Sequence, residues 1–504
     1  MLFNILFFIL LGCAVSWFTI DCLLRFKLGQ SINSTSPQHH HTHSGVIPRI
    51  GGVGIIGGFS VIYIACFLFY DANDNYSVAH FAVFGGAAAA FLLGFVDDFF
   101  TVSAKLKLFA QIAIAVGAYY CGLSIERLGL PFTDASLHFG AFSILATILW
   151  FVAIMNLINL IDGLDGLAGG IGCMLMALLA FLALTKGSFI PGVLALGMIG
   201  AIVGFLFHNF PPAKVYMGDS GAYSIGYVIA ALALLNAEKG AVVAALVGPA
   251  LALALPIADV SYAIIRRAVQ GLPLFRADRG HIHHLLMRLG FNRTKTVLLL
   301  YAVSLVALVA GLLAFANEGR YLPILLGAAL FVLLLVIRGQ KISLTAMQGY
   351  ISDSLGSRVD IRNAISLKNW FVLEVERADA GTHLWTDYHF ILKKMGFCRA
   401  ELYVDGLHRS FFIPETPEPN SEDIFCMSQE IRGDLDGKLV LYAEKDNCST
   451  RRFHLLADIA LEAWSEASSR WLTINDTPLT FDAVAKPNQN YSTQKVRNLY
   501  RPTY

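Results

Sequence analysis

Long apolar runs constrain this chain more than any other feature of its sequence. Because a membrane helix needs ~20 mostly apolar residues, we count about eleven such runs. Only 14% of the residues are charged, whereas about 25% are charged in soluble proteins. The sequence therefore predicts an all-α polytopic membrane bundle. The runs lie near 2–24, 50–70, 79–96, 106–123, 141–160, 167–184, 190–207, 222–235, 241–263, 296–316 and 321–338.

The loops between these runs predict the orientation of the bundle. Alternating loops form two sets, and fifteen Lys and Arg residues lie in one set against four in the other. The positive-inside rule makes the first set cytoplasmic. We therefore expect the N-terminus outside and the C-terminus inside. The run 2–24 is expected to be a retained helix, because it lacks a basic start and an A-x-A cleavage site.

The composition changes near residue 339, after which charged residues become common and no run is long enough to span a membrane. We predict a membrane domain at 1–338, a cytosolic α+β domain at 339–475 and a disordered tail at 476–504. No catalytic motif is found after residue 339. Strands are expected at Trp370–Glu376, Arg399–Val404 and Gly437–Ala443, and helices at Thr386–Met395 and Arg452–Arg470.

Three acidic clusters fall at the ends of apolar runs that the orientation places on the cytoplasmic side. They are Asp97-Asp98 in GFVDDFF, Asp162 and Asp165 in NLINLIDGLDGLAGG, and Asp219 in KVYMGDSGAYSIG. Carboxylates are expensive near lipid and normally mark ion or substrate chemistry there. Helix-end solvation or capping stays open for each cluster. The functional alternative is a divalent cation held against a phosphorylated substrate, since Mg²⁺ prefers carboxylate, phosphate and water oxygens.

Polar side chains next to these acids suggest a binding surface. Asn156, Asn159 and Asp162 are spaced by three residues, so we expect them on one helix face. Two amides and the neighbouring carboxylates suit a nucleotide or a sugar as well as a metal. Lys105 and Lys107 follow the first acidic pair, and either a phosphate contact or an interfacial anchor fits them.

A basic loop, RADRGHIHHLLMRLG, follows the ninth apolar run. Its candidate ligands are Arg276, Arg279, His281, His283 and His284. Three histidines suggest zinc, but the cysteines that usually complete structural zinc sites are absent from the loop. Arginine geometry suits phosphate oxygens, so we expect anion or substrate binding. Zinc binding and simple surface exposure are kept as alternatives.

Taken together, these motifs resemble those of the polyprenyl-phosphate N-acetylhexosamine-1-phosphate transferase family, also called glycosyltransferase family 4. The match follows the chain in order from about 40 to 290: H-x4-PRIGG from His43, GFVDD, SAKLKL, NLINLIDGLDGLA, KVYMGDSG and RGHIHH. The RGHIHHLL loop looks like that of the undecaprenyl-phosphate GlcNAc-1-phosphate transferase type. It lacks the P-I-H-H-H-x-E pattern of the muramoyl-pentapeptide branch.

The resemblance implies transfer of N-acetylhexosamine-1-phosphate, with GlcNAc-1-phosphate expected, from a UDP-sugar to undecaprenyl phosphate. UMP would leave, and assembly of a cell-surface polysaccharide such as lipopolysaccharide would begin. The implied place is the bacterial inner membrane, with the active site on the cytoplasmic side. The implied residues are Asp97, Asp98, Asp162 and Asp165 as catalytic; Lys107, Asn156, Asn159, Arg276, Arg279, His281, His283 and His284 as substrate-binding; and Asp219 with Asp97 as ligands of Mg²⁺, for which Mn²⁺ substitutes.

Two rival functions remain open on the sequence. A secondary transporter would also carry membrane carboxylates, but transporter sites lie near the bilayer midplane rather than at helix ends. A catalytically dead scaffold would serve the C-terminal domain, for which a regulator or a downstream glycosyltransferase is an expected partner. The net charge of +1 argues against nucleic acid, and a homodimer is kept open.

Overall fold

A computed structural model of the chain describes twelve segments. It also describes five single positions, which lie between 261 and 286. The chain divides into two compact units, which we describe separately. The first comprises Met1–Ile264 with Ala277–Ile342, and the second comprises Ile265–Arg276 with Ser343–Tyr504. The described segments are 2–26, 47–70, 77–100, 102–129, 136–237, 291–316, 356–378, 380–404, 407–413, 423–431, 437–446 and 448–475.

The described part of the first unit is helical apart from one short hairpin. The hairpin pairs β1 (Arg127–Gly129) with β2 (Ser136–His138) in antiparallel register. Apolar sequences of this length form helices in a membrane because every backbone polar group is then satisfied within its own segment. The helices are α1 (Leu2–Arg25), α2 (Gly51–Tyr70), α3 (Val78–Phe99), α4 (Ala104–Tyr120), α5 (Ser143–Ile161), α6 (Leu167–Thr185), α7 (Phe189–Asn209), α8 (Gly218–Ala237) and α9 (Arg293–Ala316).

Seven of the described helices, α1 to α3 and α5 to α8, are long and apolar enough to cross a membrane. The chain is thus a multi-pass membrane protein by length and composition. The predicted count of about eleven spans, based on the need for ~20 apolar residues each, is not confirmed, and neither is the predicted orientation. The run 106–123 corresponds to α4, which has 17 residues. The runs 241–263 and 321–338 lie almost wholly outside the described residues.

Helix α8 lies at the centre of the first unit. It contacts α2, α3, α5, α6 and α7, and its residues from Ser220 to Asn236 are buried. Small residues bring the other helices close together, as membrane helix packing requires. On α7, for example, a side chain at Gly200 or Gly204 would overlap the backbone of α1. The N-terminus of α8 is therefore held inside the bundle and not on its surface.

The second unit is an α+β module. Three helices, α10 (Arg358–Glu374), α11 (Gly381–Met395) and α12 (Thr450–Asn475), accompany a four-stranded antiparallel sheet. The strands occur in the order β4-β3-β6-β5 and share a core with the helices, centred on Trp464, Tyr388 and Phe371. The strands are β3 (Arg399–Val404), β4 (Leu407–Phe412), β5 (Ile424–Ile431) and β6 (Gly437–Glu444).

Most of the secondary structure predicted after residue 339 is present. Strands β3 and β6 and helices α11 and α12 occupy the predicted segments, extended by several residues in α11 and α12. The strand predicted at Trp370–Glu376 is wrong, because this segment forms the end of α10 and a 3-10 helix, Val375–Arg377. Its alternating aromatic and branched residues mimic a strand, but Phe371 and Val375 lie one helical turn apart and both enter the core. The predicted tail at 476–504 lies outside the described residues.

A half-buried histidine is expected to lower the stability of the second unit in acid. His389 lies on α11 with its ring against Trp385, at 4.5 Å between centroids, and stacked on Phe411 at 4.8 Å. Its Nε2 is buried and has no hydrogen-bond partner among the described residues. Burial lowers the pKa of His389 from 6.5 to about 4, because an imidazolium here would lose its hydration.

We predict that His389→Phe removes this sensitivity. The folded state binds fewer protons than the unfolded state between pH 4 and 6.5, so this histidine lowers stability as the pH falls through that window. The variant should gain about 1 kcal/mol over the wild type at pH 5 relative to pH 8, allowing for partial exposure. Tryptophan-fluorescence melting in detergent measures this, and an unchanged difference between the two pH values would contradict it. Asp387, whose pKa burial raises to about 6, is common to both proteins.

Candidate active site

The start of α8 is shaped by a short backbone pairing with the segment before α2. The amides of Gly51 and Gly52 donate to the carbonyls of Tyr216 and Met217, each at 3.0 Å. The amide of Tyr216 in turn donates to the carbonyl of Pro48 at 3.0 Å. The PRIGG motif thus anchors the residues that lead into Asp219.

The first turn of α8 is capped by a carboxylate from another helix. Asp98, near the end of α3, accepts hydrogen bonds from the amides of Asp219 and Ser220 at 2.9 and 3.1 Å and from Ser220 Oγ at 2.7 Å. Gly218 precedes this turn with a φ of 75°, and a side chain there would collide with the Asp98 carboxylate. A carboxylate at a helix N-terminus satisfies amides that lack intrahelical partners and is favoured by the helix dipole. Both Asp98 oxygens are therefore committed to positioning α8.

This capping depends on a close approach of α3 and α8. A Cβ at Gly94 would overlap the backbone of Asp219 and Ser220. Glycine is needed at this position because no larger residue permits such contact. The result is that the end of α3, which carries Asp97 and Asp98, lies directly against the start of α8.

Asp97 and Asp219 meet on a single lysine. Lys107 Nζ, from α4, lies 2.8 Å from Asp97 Oδ2 and 3.3 Å from Asp219 Oδ2. Asp97 Oδ1 also accepts from the amide of Val102 at 2.9 Å. The Asp97 and Asp219 carboxylates are thus brought close together on the same lysine nitrogen. Two carboxylates this close repel unless a cation or a proton lies between them, and Lys107 provides the positive charge.

Asp162, at the end of α5, lies close enough to Asp98 and Asp219 to be affected by their charges. We call Asp97, Asp98, Asp162 and Asp219 the acidic centre. Asp162 is the C-terminal cap residue of α5, and no group among the described residues hydrogen-bonds to its side chain. Burial raises the pKa of the Asp162 carboxyl well above its usual value, and the charges of Asp219 and Asp98 raise it further. A group whose charged form is disfavoured in this way is typical of a binding or catalytic site.

Asp165 has a different environment from Asp162. Its Oδ2 accepts from the amide of Ala213 at 3.2 Å and lies 3.8 Å from Arg293 of α9. The next residue, Gly166, donates its amide to Asn209 Oδ1 at 2.8 Å, and its carbonyl accepts from the Tyr301 hydroxyl at 2.5 Å. These bonds join the turn after α5 to the end of α7 and to the first half of α9. The geometry gives Asp165 a structural role, and its predicted catalytic role is untested.

Asn156 and Asn159, the two amides predicted to share a ligand, contact different neighbouring helices. Asn156 exchanges hydrogen bonds with Gln111 of α4, at 2.7 and 3.4 Å, and so ties α5 to α4. Asn159 instead donates to the hydroxyl of Tyr223 on α8 at 3.4 Å. Of the two, only Asn159 thus contacts α8, the helix that carries Asp219. Spacing by three along α5 predicted a shared face, but the neighbouring helices use the two positions differently.

The structure brings together part of the predicted site. Asp97, Asp98, Lys107, Asp162 and Asp219 converge at the ends of α3 and α5 and the starts of α4 and α8. Tyr223, Ser220 and Gln111 were missed, since a hydroxyl or amide inside an apolar run gives a weak signal without its neighbours in space. The predicted substrate-binding residues of the basic loop lie outside the described residues: Arg276, Arg279, His281, His283 and His284.

The donor set fits a divalent cation of the oxygen-preferring kind. Mg²⁺ is usually held by one or two carboxylates together with water and substrate phosphates. Asp97 and Asp219 supply two carboxylates that already share a positive charge. Among the described residues, no group of three or more His, Cys, Asp and Glu is placed to enclose a metal.

The apolar helices with carboxylates clustered at their ends define the class as a multi-pass membrane protein. Residues 53–237 match the family described as "Glycosyl transferase family 4". This range contains α3 to α8 and the whole described acidic centre. The chain belongs to glycosyl transferase family 4, and it is a phospho-sugar transferase of that type.

Similar proteins share a large part of their length with this chain. It is 34% identical to a probable undecaprenyl-phosphate N-acetylglucosaminyl 1-phosphate transferase of Bacillus subtilis, over 54% of this chain and 74% of the relative. It is 30% identical to an undecaprenyl-phosphate alpha-N-acetylglucosaminyl 1-phosphate transferase of Yersinia pestis, over 60% and 82%. It is 31% identical to a phospho-N-acetylmuramoyl-pentapeptide-transferase of Staphylococcus carnosus, over 58% and 92%. These comparisons give no support to a secondary transporter.

We predict that Gly94→Ala destabilises the protein, whereas Gly85→Ala on the same helix does not. The methyl group at position 94 would push α3 away from the start of α8, and such overpacking typically costs about 1–3 kcal/mol. At position 85 the added methyl group meets no atom within 4 Å. Apparent melting temperatures in detergent test this. Equal melting temperatures for the two variants would show that the α3–α8 contact tolerates a side chain.

Proposed function

We propose that this chain transfers N-acetylhexosamine-1-phosphate, with GlcNAc-1-phosphate as the expected group, from a UDP-sugar to undecaprenyl phosphate. The observation that carries the proposal is the meeting of Asp97 and Asp219 on Lys107, in a member of glycosyl transferase family 4. The names of the relatives from Bacillus subtilis and Yersinia pestis support the acceptor and the sugar. Assembly of a cell-surface polysaccharide would begin with this step.

The reaction is a phosphoryl transfer between two charged partners. An oxygen of the lipid phosphate attacks the β-phosphorus of the UDP-sugar. The bond from that phosphorus to the oxygen bridging the two phosphates breaks, and UMP leaves. Catalysis of such a transfer depends on positioning and on charge stabilisation more than on covalent chemistry by the protein. Crowded carboxylates with a shared lysine are suited to those two tasks.

The residues of the site divide this work according to their contacts. Asp97 is better placed than Asp98 to act on the lipid phosphate, because its Oδ2 is paired with the Lys107 side chain, which also attracts phosphate, whereas both Asp98 oxygens cap α8. Lys107 holds the two carboxylates and carries a charge that attracts phosphate. Asp162, with its carboxylate unpaired among the described residues, faces the position that a nucleotide or its phosphates would occupy. Asn159 is the amide that we expect to bind the nucleotide.

We further propose that Asp219 and Asp97 hold Mg²⁺, for which Mn²⁺ substitutes. When bound, the cation would neutralise the diphosphate and the developing charge on UMP. The Asp97 and Asp219 carboxylates repel each other in the folded protein, so a bound divalent cation would reduce this repulsion. The predicted roles of the basic loop, of a homodimer and of a regulator bound to the second unit stay predictions.

The reaction as proposed takes place at the cytoplasmic face of the bacterial inner membrane. The excess of Lys and Arg in one set of loops motivates this orientation. We predict that a reporter fused after Gly240 is labelled from the outside and one fused after Leu285 from the cytoplasm. Accessibility of both fusions from the same side would contradict the predicted topology.

We predict that the purified protein releases UMP from UDP-GlcNAc in detergent when undecaprenyl phosphate is present. Other UDP-N-acetylhexosamines are assayed in parallel, because the site as described does not distinguish their sugars. Turnover should disappear when divalent cations are chelated and return with Mg²⁺ or Mn²⁺. Absence of turnover with every UDP-sugar in a monodisperse preparation would overturn the proposal.

The variant that tests the role of Asp219 in this assay is Asp219→Asn. The substitution keeps the shape of the side chain and removes its charge, so the fold should remain while activity falls by at least ~10²-fold. Near-normal turnover in a variant that melts like the wild type would remove Asp219 from the proposed site and leave the transfer reaction itself standing.

A further inference from the structure

The turn between α5 and α6 is held by side chains from two other helices. Gly166, four residues after Asp162, is the N-terminal cap residue of α6 and has a left-handed φ of 81°. Its amide donates to Asn209 Oδ1 of α7 at 2.8 Å, and its carbonyl accepts from the Tyr301 hydroxyl of α9 at 2.5 Å. Both backbone groups of one turn residue are thus bonded to other helices, and backbone groups inside a protein need such partners.

The Tyr301 side chain packs against α6 as well as bonding to its start. A Cβ at Gly170 would overlap the Tyr301 ring, so this ring lies directly on the backbone of the first turn of α6. Arg293, at the start of α9, lies 3.8 Å from Asp165 Oδ2. Helix α9 therefore contacts two consecutive residues of the turn, Asp165 and Gly166, through two of its side chains.

The place of the Asp162 carboxylate depends on this turn. No group among the described residues hydrogen-bonds to the Asp162 side chain, so its backbone determines where the carboxylate lies. The amide of Asp162 donates to the carbonyl of Asn159 at 3.3 Å, at the end of α5. On the other side of Asp162, the residues that tie the turn to other helices are Asp165 and Gly166.

We propose that Tyr301 is a positioning residue, whose hydroxyl holds the turn so that Asp162 stays in the acidic centre. This inference rests on the proposed function, in which Asp162 faces the nucleotide. Helix α9 lies beyond residues 53–237, the part of the chain that matches the family. The working site therefore includes a helix from outside the matched range.

Tyr227 on α8 offers a matched control. Its hydroxyl also donates to a backbone carbonyl of another helix, that of Ala82 on α3, at 2.9 Å. Ala82 lies near the opposite end of α3 from Asp97. Replacing either tyrosine by phenylalanine therefore removes one hydroxyl that is bonded to a backbone carbonyl. Of these two bonds, only that of Tyr301 reaches the turn that follows Asp162.

The first experiment measures UMP binding, by titration calorimetry of the full-length protein in detergent with Mg²⁺. For Tyr301→Phe we expect the Kd for UMP to rise about fivefold, as for loss of one neutral hydrogen bond. Tyr227→Phe should keep the wild-type Kd, even if both variants melt at a lower temperature than the wild type. A purely structural hydroxyl would change the melting temperature without changing the Kd. Equal Kd values in the two variants would overturn the inference.

The second experiment tests whether Tyr301 acts through Asp162. In a protein that carries Asp162→Ala, Tyr301→Phe should no longer change the Kd for UMP, because no carboxylate is left to position. A fivefold change that persists in this background would show that the hydroxyl acts on another group, and would overturn the inference. Binding is measured and not turnover, so an inactive Asp162→Ala protein is still informative.

The third experiment needs no ligand. Hydrogen exchange of the segment 162–170 should be faster in Tyr301→Phe than in the wild type, because the turn has lost a bond to α9, and unchanged in Tyr227→Phe. Equal exchange of this segment in the two variants would overturn the inference. The same measurement decides the case in which Asp162→Ala abolishes UMP binding.

These measurements separate the inference from the proposed function. A wild-type protein that binds no UMP and turns over no UDP-sugar, but whose turn exchanges faster only in Tyr301→Phe, contradicts the proposed function and supports the hold of Tyr301 on the turn. A wild-type protein that is active, with the two variants alike in their Kd for UMP, supports the proposed function and overturns the positioning role.

Discussion

The capping of α8 by Asp98 is the interaction on which the rest of the described site depends. The first amides of a helix have no partner within the helix, and inside a bundle they need one from elsewhere. Asp98 supplies it across a contact that only Gly94 and Gly218 permit. Asp97 directly precedes Asp98 in the chain, and Asp219 lies within the capped turn. The capping of α8 by Asp98 therefore determines where the Asp97 and Asp219 carboxylates meet. Loss of the cap would therefore disturb the site before it unfolded the bundle.

The acidic centre brings like charges close together, which lowers the stability of the fold and which a purely structural site would avoid. Asp97 and Asp219 approach each other closely, Lys107 partly neutralises them, and Asp162 faces them without a partner among the described residues. Proteins tolerate such crowding where function needs it and compensate elsewhere. Here the compensation is the close packing of small residues around α8. An incoming cation and phosphates would turn a destabilising arrangement into a stabilising one.

Not every acid of the motifs serves the same purpose. Asp162 and Asp165 lie in one Asp-Gly repeat, yet Asp162 faces the acidic centre and Asp165 binds the backbone before α8 and Arg293 of α9. The same division occurs in the first cluster, where Asp98 caps a helix and Asp97 contacts Lys107. In each pair, one residue makes the bonds that build the site and the other belongs to the acidic centre.

The sequence by itself predicted the class of the protein, most of the described helices and three acidic motifs near one another. Apolar runs and carboxylates are local properties, so α3, α5 and α8, the strands β3 and β6, and Asp97, Asp162 and Asp219 were predictable. The exception at Trp370–Glu376 arose because a short aromatic run fits both periodicities. Only the tertiary structure decided that Asp98 caps α8, that Asn156 pairs with Gln111, and that Asn159 contacts Tyr223. These contacts join residues distant in the chain, and which side chains meet depends on the approach of helix backbones that no local pattern encodes.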